Sequence, residues 1–140
     1  MKNLQRPYLI KLTGQLRYML ARKEALETLR YKFQRKYENL MRMVRSSVEV
    51  VAGSDSTGLG NSTRLIRAME MMCEAGMSPI HVVKSATSNA ATALKMGDML
   101  GSIRPGTEAD ILGVAGDITH DISNLRKTRL VLKSGVNVRL

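Results

Sequence analysis

The sequence predicts an α/β chain: a long basic helix, one strand–helix unit of a parallel sheet, and a small closing layer of strands. Three observations predict it. From Gln15 to Arg45 apolar side chains return at steps of three and four, the helical period. Val48–Ala52 is a short apolar run broken by Gly53 and followed by helical pattern, as in a βα unit. After Leu100 that period is lost, and short apolar runs bounded by Pro-Gly and Ser-Gly turns take over.

The elements follow in order. Pro7 discourages helix around Arg6. The first helix, 15–45, repeats Leu16, Met19, Leu20, Leu26, Leu29, Phe33, Tyr37, Leu40 and Val44, with Lys and Arg on most other faces. Val48–Ala52 is the predicted strand. Asn61 or Ser62 caps a helix that runs to Ala75 and ends at Gly76, a residue suited to a C-cap. Ser78-Pro79 restarts a helix to Thr87, with Ser as N-cap and Pro in the first turn. A further short helix, from Ser88 or Asn89 to Met96, is closed by Gly97. Ala109–Ala115 is a predicted buried strand, and Asp117–Leu125 a polar crossing with one helical turn. Thr128–Lys133 and Val136–Arg139 flank Ser134-Gly135 and form a predicted hairpin. Three regions result: a basic helical segment, 1–47; a βα region, 48–98; and a β region, 99–140.

Charge is unevenly placed. The chain of 140 residues carries a net charge of +10, of which residues 1–47 hold +9 and the remainder +1. A basic helix permits phosphate binding, so a nucleic-acid-binding module is one alternative. A solvated helix face explains the same pattern, and no zinc-finger spacing or Gly-rich phosphate loop favours the nucleic-acid reading. The apolar and basic residues are not cleanly segregated, which disfavours a membrane-surface helix. No apolar run approaches a membrane span, and no apolar stretch follows the basic start as in a secretory signal. A cytoplasmic location is expected. The single cysteine, Cys73, excludes an intramolecular disulfide and lies in an apolar run with Met69, Met71 and Met72, as a packed thiol does.

The candidate chemistry sits at Asp55. It follows the predicted strand within Gly53-Ser54-Asp55-Ser56, and a carboxylate at the C-terminal end of a parallel strand is where α/β barrels carry their chemistry. A turn aspartate is the structural alternative. Ser56 and Thr57 lie beside it and read as loop-capping residues. His81 and His120 sit away from strand ends and read as surface or packing residues.

Four stretches carry a resemblance. They are Ala52-Gly53-Ser54-Asp55-Ser56; Glu74-Ala75-Gly76-Met77-Ser78-Pro79 leading into Ser85-Ala86-Thr87-Ser88-Asn89-Ala90-Ala91; Leu100-Gly101-Ser102-Ile103-Arg104-Pro105-Gly106-Thr107-Glu108-Ala109-Asp110-Ile111; and Leu130-Val131-Leu132-Lys133-Ser134-Gly135-Val136. In this order and spacing, residues from Val48 onward resemble the C-terminal third of an amidohydrolase-superfamily enzyme, closest to imidazolonepropionase-like and Xaa-Pro-dipeptidase-like members. Residues 1–47 contribute little.

The resemblance implies the last βα unit of an incomplete (β/α)8 barrel, which needs about 250 residues when whole. It also implies the C-terminal strands of a small β-sandwich. It further implies metal-dependent hydrolysis of a non-peptide or cyclic amide C–N bond, with a divalent cation, commonly zinc, that acidifies a water. Asp55 matches the eighth-strand aspartate that takes the water's proton and touches the metal. The other ligands of the family are a His-x-His on the first strand, a Lys or Glu on the fourth, and His on the fifth and sixth. None has a counterpart here, and a catalytic zinc needs about three protein ligands. The expectation is a fragment that is inactive alone and is completed by a missing barrel segment or a second copy. A non-catalytic structural or regulatory role is the other alternative.

Overall fold

The computed structural model describes residues 6–55 and 62–138, with side chains described for 16–55 and 64–138. Four α-helices are present: α1 (Arg6–Arg45), α2 (Ser62–Glu74), α3 (Pro79–Ala86) and α4 (Ser88–Ala93). Three strands follow, β1 (Ile111–Val114), β2 (Thr128–Lys133) and β3 (Val136–Asn137), with a 3-10 helix at Ile122–Arg126 between β1 and β2. The chain divides into two compact units between Glu38 and Asn39.

In the first unit the described side chains of α1, from Leu16 on, are exposed apart from the half-buried Tyr37. Leu16, Met19, Leu20, Leu26, Leu29 and Phe33 are all exposed. Intrahelical pairs such as Lys23–Glu27 and the hydrogen bond from Gln34 to Glu38 support this face. Helix α1 starts earlier than Gln15 and includes Pro7. A proline in the first turn costs no intrahelical hydrogen bond, because those N–H groups have no partner in any case.

The second unit holds the core. Met69 on α2, Met77, Val82 on α3, and Ile122 and Leu125 of the 3-10 helix are buried together. Leu40, Met41 and Val44 of the last turns of α1 pack against this cluster. Three helices end in the same way. After α1, α2 and α4 the chain turns through one residue of positive φ: Ser47, Gly76 and Lys95 respectively. Each turn is closed by a pair of hydrogen bonds to the last helical carbonyls, as Met77 N–H to Met72 O and Gly76 N–H to Cys73 O show for α2. Gly76 thus takes the C-cap role expected of it. Gly97 does not: α4 ends at Ala93, short of Met96, because Lys95 takes the left-handed position first. Ser78 is the N-cap residue of α3 by position, with Pro79 following, but its hydroxyl sits 2.9 Å from His81 Nδ1.

The predicted strand Val48–Ala52 is corrected. These residues are neither helix nor strand and belong to no sheet among the described residues. A strand exists only through neighbours about 4.8 Å away. Here the backbone turns to helices instead, with Ala52 N–H donating to Ser85 O at 3.0 Å.

The sheet is antiparallel throughout, in the order β1-β2-β3. Ile111 faces Leu132 and Gly113 faces Leu130. Val114 then faces Thr128, so Arg129 is the extra residue of a bulge on β2. Ser134 and Gly135, both at positive φ, make the two-residue turn to β3. Arg139, the expected end of the hairpin, lies outside the described residues. The polar crossing contains its expected helical turn, capped by Asp121, whose carboxylate accepts from Ser123 N–H. Gly116 is required here, since a Cβ at its φ of +99° would lie 2.8 Å from Asn124 Cγ.

Candidate functional site

Asp55 closes the irregular segment 48–55. Its side chain is exposed and its φ is +47°, a left-handed conformation that aspartate tolerates better than most residues. Two residues hold the segment in place from below. Ser85 accepts the Ala52 N–H through its carbonyl, while its own buried hydroxyl donates to Val82 O at 2.7 Å. Asn89 of α4 donates from Nδ2 to Val50 O at 3.3 Å. In the sequence Ser85 stands out only as part of a quoted motif, and Asn89 as part of that motif and as a candidate start of the short helix. Their work is to pin the segment that presents Asp55, and the sequence marks them only as two of several small polar residues among the alanines of 85–93.

The histidines are elsewhere. His81 is exposed and engaged with the Ser78 hydroxyl. His120 is exposed, with Nε2 3.9 Å from Asp117. The Asp117 carboxylate is held below its usual range chiefly by the Thr119 hydroxyl and N–H. Cys73 is half-buried, and burial pushes its thiol up, away from the reactive thiolate. Ser56 and Thr57 lie outside the described residues.

Among the described residues no group of three or more His, Cys, Asp and Glu side chains converges to hold a metal ion. The described residues therefore do not by themselves fit a catalytic metal, which needs about three protein donors. Asp55 contributes one carboxylate.

The strongest electrostatic feature is structural. Arg126 grips Glu70 with two hydrogen bonds, Nε to Oε1 at 2.7 Å and Nη2 to Oε2 at 2.9 Å. Arg67 adds contacts to Glu70 at 3.4 Å and to Glu74 at 2.6 Å. Arg126 is the main cause of a Glu70 carboxyl held below the usual range. This joint ties α2, the helix after Asp55, to the 3-10 helix before β2.

Residues 10–138 match the model of the amidohydrolase family. The chain belongs to the amidohydrolase family. Members of this family are hydrolases of C–N bonds that work with a divalent metal. Curated relatives include an imidazolonepropionase of Picrophilus torridus, 28% identical over 72% of this chain and 26% of its own length. Another is adenine deaminase 4 of Rhizobium meliloti, 31% identical over 71% of this chain and 15% of its own. Among solved structures, a Xaa-Pro dipeptidase with bound methionine is similar over 73% of this chain and 25% of its own, at 29% identity and a TM-score of 0.68. Molinate hydrolase is similar over 72% and 26%, at 30% identity and a TM-score of 0.64. The chain thus spans about a quarter or less of these amidohydrolases. Its fold is that of a part of a barrel-family protein, rich in helix and carrying a small three-stranded sheet. No helix among the described residues is long and apolar enough to cross a membrane.

Proposed function

We propose that this chain supplies the terminal part of an amidohydrolase active site. Residues 48–98 are the last βα part of the barrel, and residues 99–140 are strands of the accompanying β-sandwich. Asp55 is its one catalytic group and accepts a proton from the attacking water. It then hands that proton to the leaving nitrogen of a non-peptide or cyclic amide. A carboxylate suits both transfers because it gives back a proton readily once nitrogen becomes basic. The metal, in our reading zinc, is touched by Asp55, and its other ligands come from outside this chain. The chain by itself therefore lacks activity, and we place it in the cytoplasm.

The observation that carries this reading is the join of family membership to geometry. The exposed Asp55 carboxylate stands at the end of a segment pinned by Ser85 and Asn89. The test is metal content and amide hydrolysis on the purified full chain, with and without added zinc. The expected result is sub-stoichiometric zinc and no hydrolysis. One tightly held zinc per chain that Asp55→Asn removes would overturn it.

A further inference from the structure

Three of the four stretches that carry the family resemblance meet at one joint, the break between α3 and α4. Helix α3 ends at Ala86 and α4 starts at Ser88, so Thr87 alone separates them. Its backbone, at φ −128° and ψ −95°, is not helical. Thr87 is nonetheless tied to both helices. Its N–H donates to Lys84 O at 3.1 Å and its hydroxyl to Val83 O at 2.8 Å, while its carbonyl accepts from Ala91 N–H at 2.9 Å. The two residues that pin the segment before Asp55 flank this joint. Ser85, which accepts the Ala52 N–H, lies just before Thr87, and Asn89, which donates to Val50 O, lies just after it. A displacement of Thr87 therefore moves both anchors.

The third stretch closes on the joint from the loop before β1. Gly101 turns the backbone at a φ of +84°, and a Cβ there would lie 2.7 Å from Ala91 Cβ, 2.8 Å from Thr87 O and 3.0 Å from Ser88 Cα. Two of these atoms are backbone and cannot swing aside as the tip of a side chain does. Ala91 itself is buried. Gly106, in the same stretch, also has a positive φ, +93°, but a Cβ there would meet nothing within 4 Å. Gly106 answers to its turn alone, whereas Gly101 answers to its turn and to the α3–α4 joint.

We propose that Gly101 is a positioning residue for Asp55. Having no side chain, it lets its loop lie directly against Thr87 and Ser88, and this contact fixes the places of Ser85 and Asn89. The route is contiguous, from Gly101 through Thr87 and the two anchors to the segment that ends at Asp55. Its use in catalysis rests on the role proposed above for Asp55, but the coupling does not.

Amide exchange on the full chain tests it. Gly106→Ala is the control, since it places an alanine at a similar backbone conformation without the close approach. Gly101→Ala should speed exchange of Ala52 N–H, the donor to Ser85 O, at least about fivefold over that control. Met77 N–H, bonded to Met72 O in the cap of α2, should be sped up less, which separates local release from a general loss of stability. Coupling is reciprocal, so Asn89→Ala should in turn speed exchange of Leu100 N–H, the donor to Met96 O, and this comparison decides if Gly101→Ala does not fold. Equal rates at Ala52 in the two glycine variants overturn the proposal, as does a rise at Ala52 no greater than that at Met77. So does an Asn89→Ala variant in which Leu100 N–H is unaffected. Hydrolysis is not the readout, so failure of this coupling and failure of the catalytic reading of Asp55 are separate outcomes.

Discussion

Asp55 and Glu70 are carboxylates of the same compact unit in opposite surroundings. Glu70 is 15% exposed at its side chain, with two arginines directed at it, and it binds helix α2 to a segment 56 residues later. Asp55 is exposed at the end of a segment that belongs to no sheet, and what is fixed there is the backbone behind it. The difference teaches how the work is divided. Partnered charges hold this fold together, while Asp55, the catalytic group of our proposal, makes no ion pair among the described residues.

Four substitutions sharpen or break that contrast. The largest effect is expected from Val82→Ala, in the buried cluster with Met69 and Leu125. Val82 is fully buried, so the loss should be about 2–3 kcal/mol in urea unfolding. Glu70→Gln should cost about 1 kcal/mol at neutral pH after allowance for solvent screening of the arginines. The sign follows from the depressed carboxyl. Its contribution is complete above the ordinary glutamate range, about pH 5 and higher, and is lost as pH falls through the lowered folded value. Wild type and Glu70→Gln should therefore converge in stability in acid, and curves that stay parallel would exclude a charge-based joint.

Asn89→Ala comes next, at about 0.5–1 kcal/mol, with faster amide exchange from Val48 to Asp55. Unchanged exchange there would mean that Asn89 does not pin the segment. Asp55→Asn should be smallest, within about 0.5 kcal/mol, since asparagine also tolerates the left-handed backbone. A loss clearly above 1 kcal/mol, roughly the worth of one hydrogen bond, would show that Asp55 has a folding partner and would erase the contrast.

Legibility in the sequence tracked how local each signal was. Helices α2 and α3, the Gly76 cap and the Ser134-Gly135 turn depend on neighbours a few residues away, and all were readable. Lys95 and Ser47 in left-handed caps were not, because nothing in a lysine or serine announces that conformation and glycine nearby is the better candidate. Val48–Ala52 has the composition of a strand, but pairing is a property of two segments and its partner does not appear among the described residues. The bulge at Arg129 and the Glu70–Arg126 joint depend on register and on contacts 56 residues apart, which no local window contains. For the proposed site, the motif singled out Asp55, and the structure adds only its exposure and left-handed backbone. The roles of Ser85 and Asn89 emerged only when their atoms stood beside the backbone they hold.

The buried cluster relies on sulfur as much as on branched hydrocarbon. Met69 and Met77 are inside it, and the Met41 thioether packs where Gly76 has no side chain, with Sδ 3.6 Å from the place a Cβ would occupy. Thioethers bend to fill irregular space, which lets three helices and a 3-10 turn meet without large aromatic rings. They also accept an oxygen atom, and a sulfoxide is polar where the cluster is dry. Oxidative damage in this chain would therefore be felt first as a loosening of its interior.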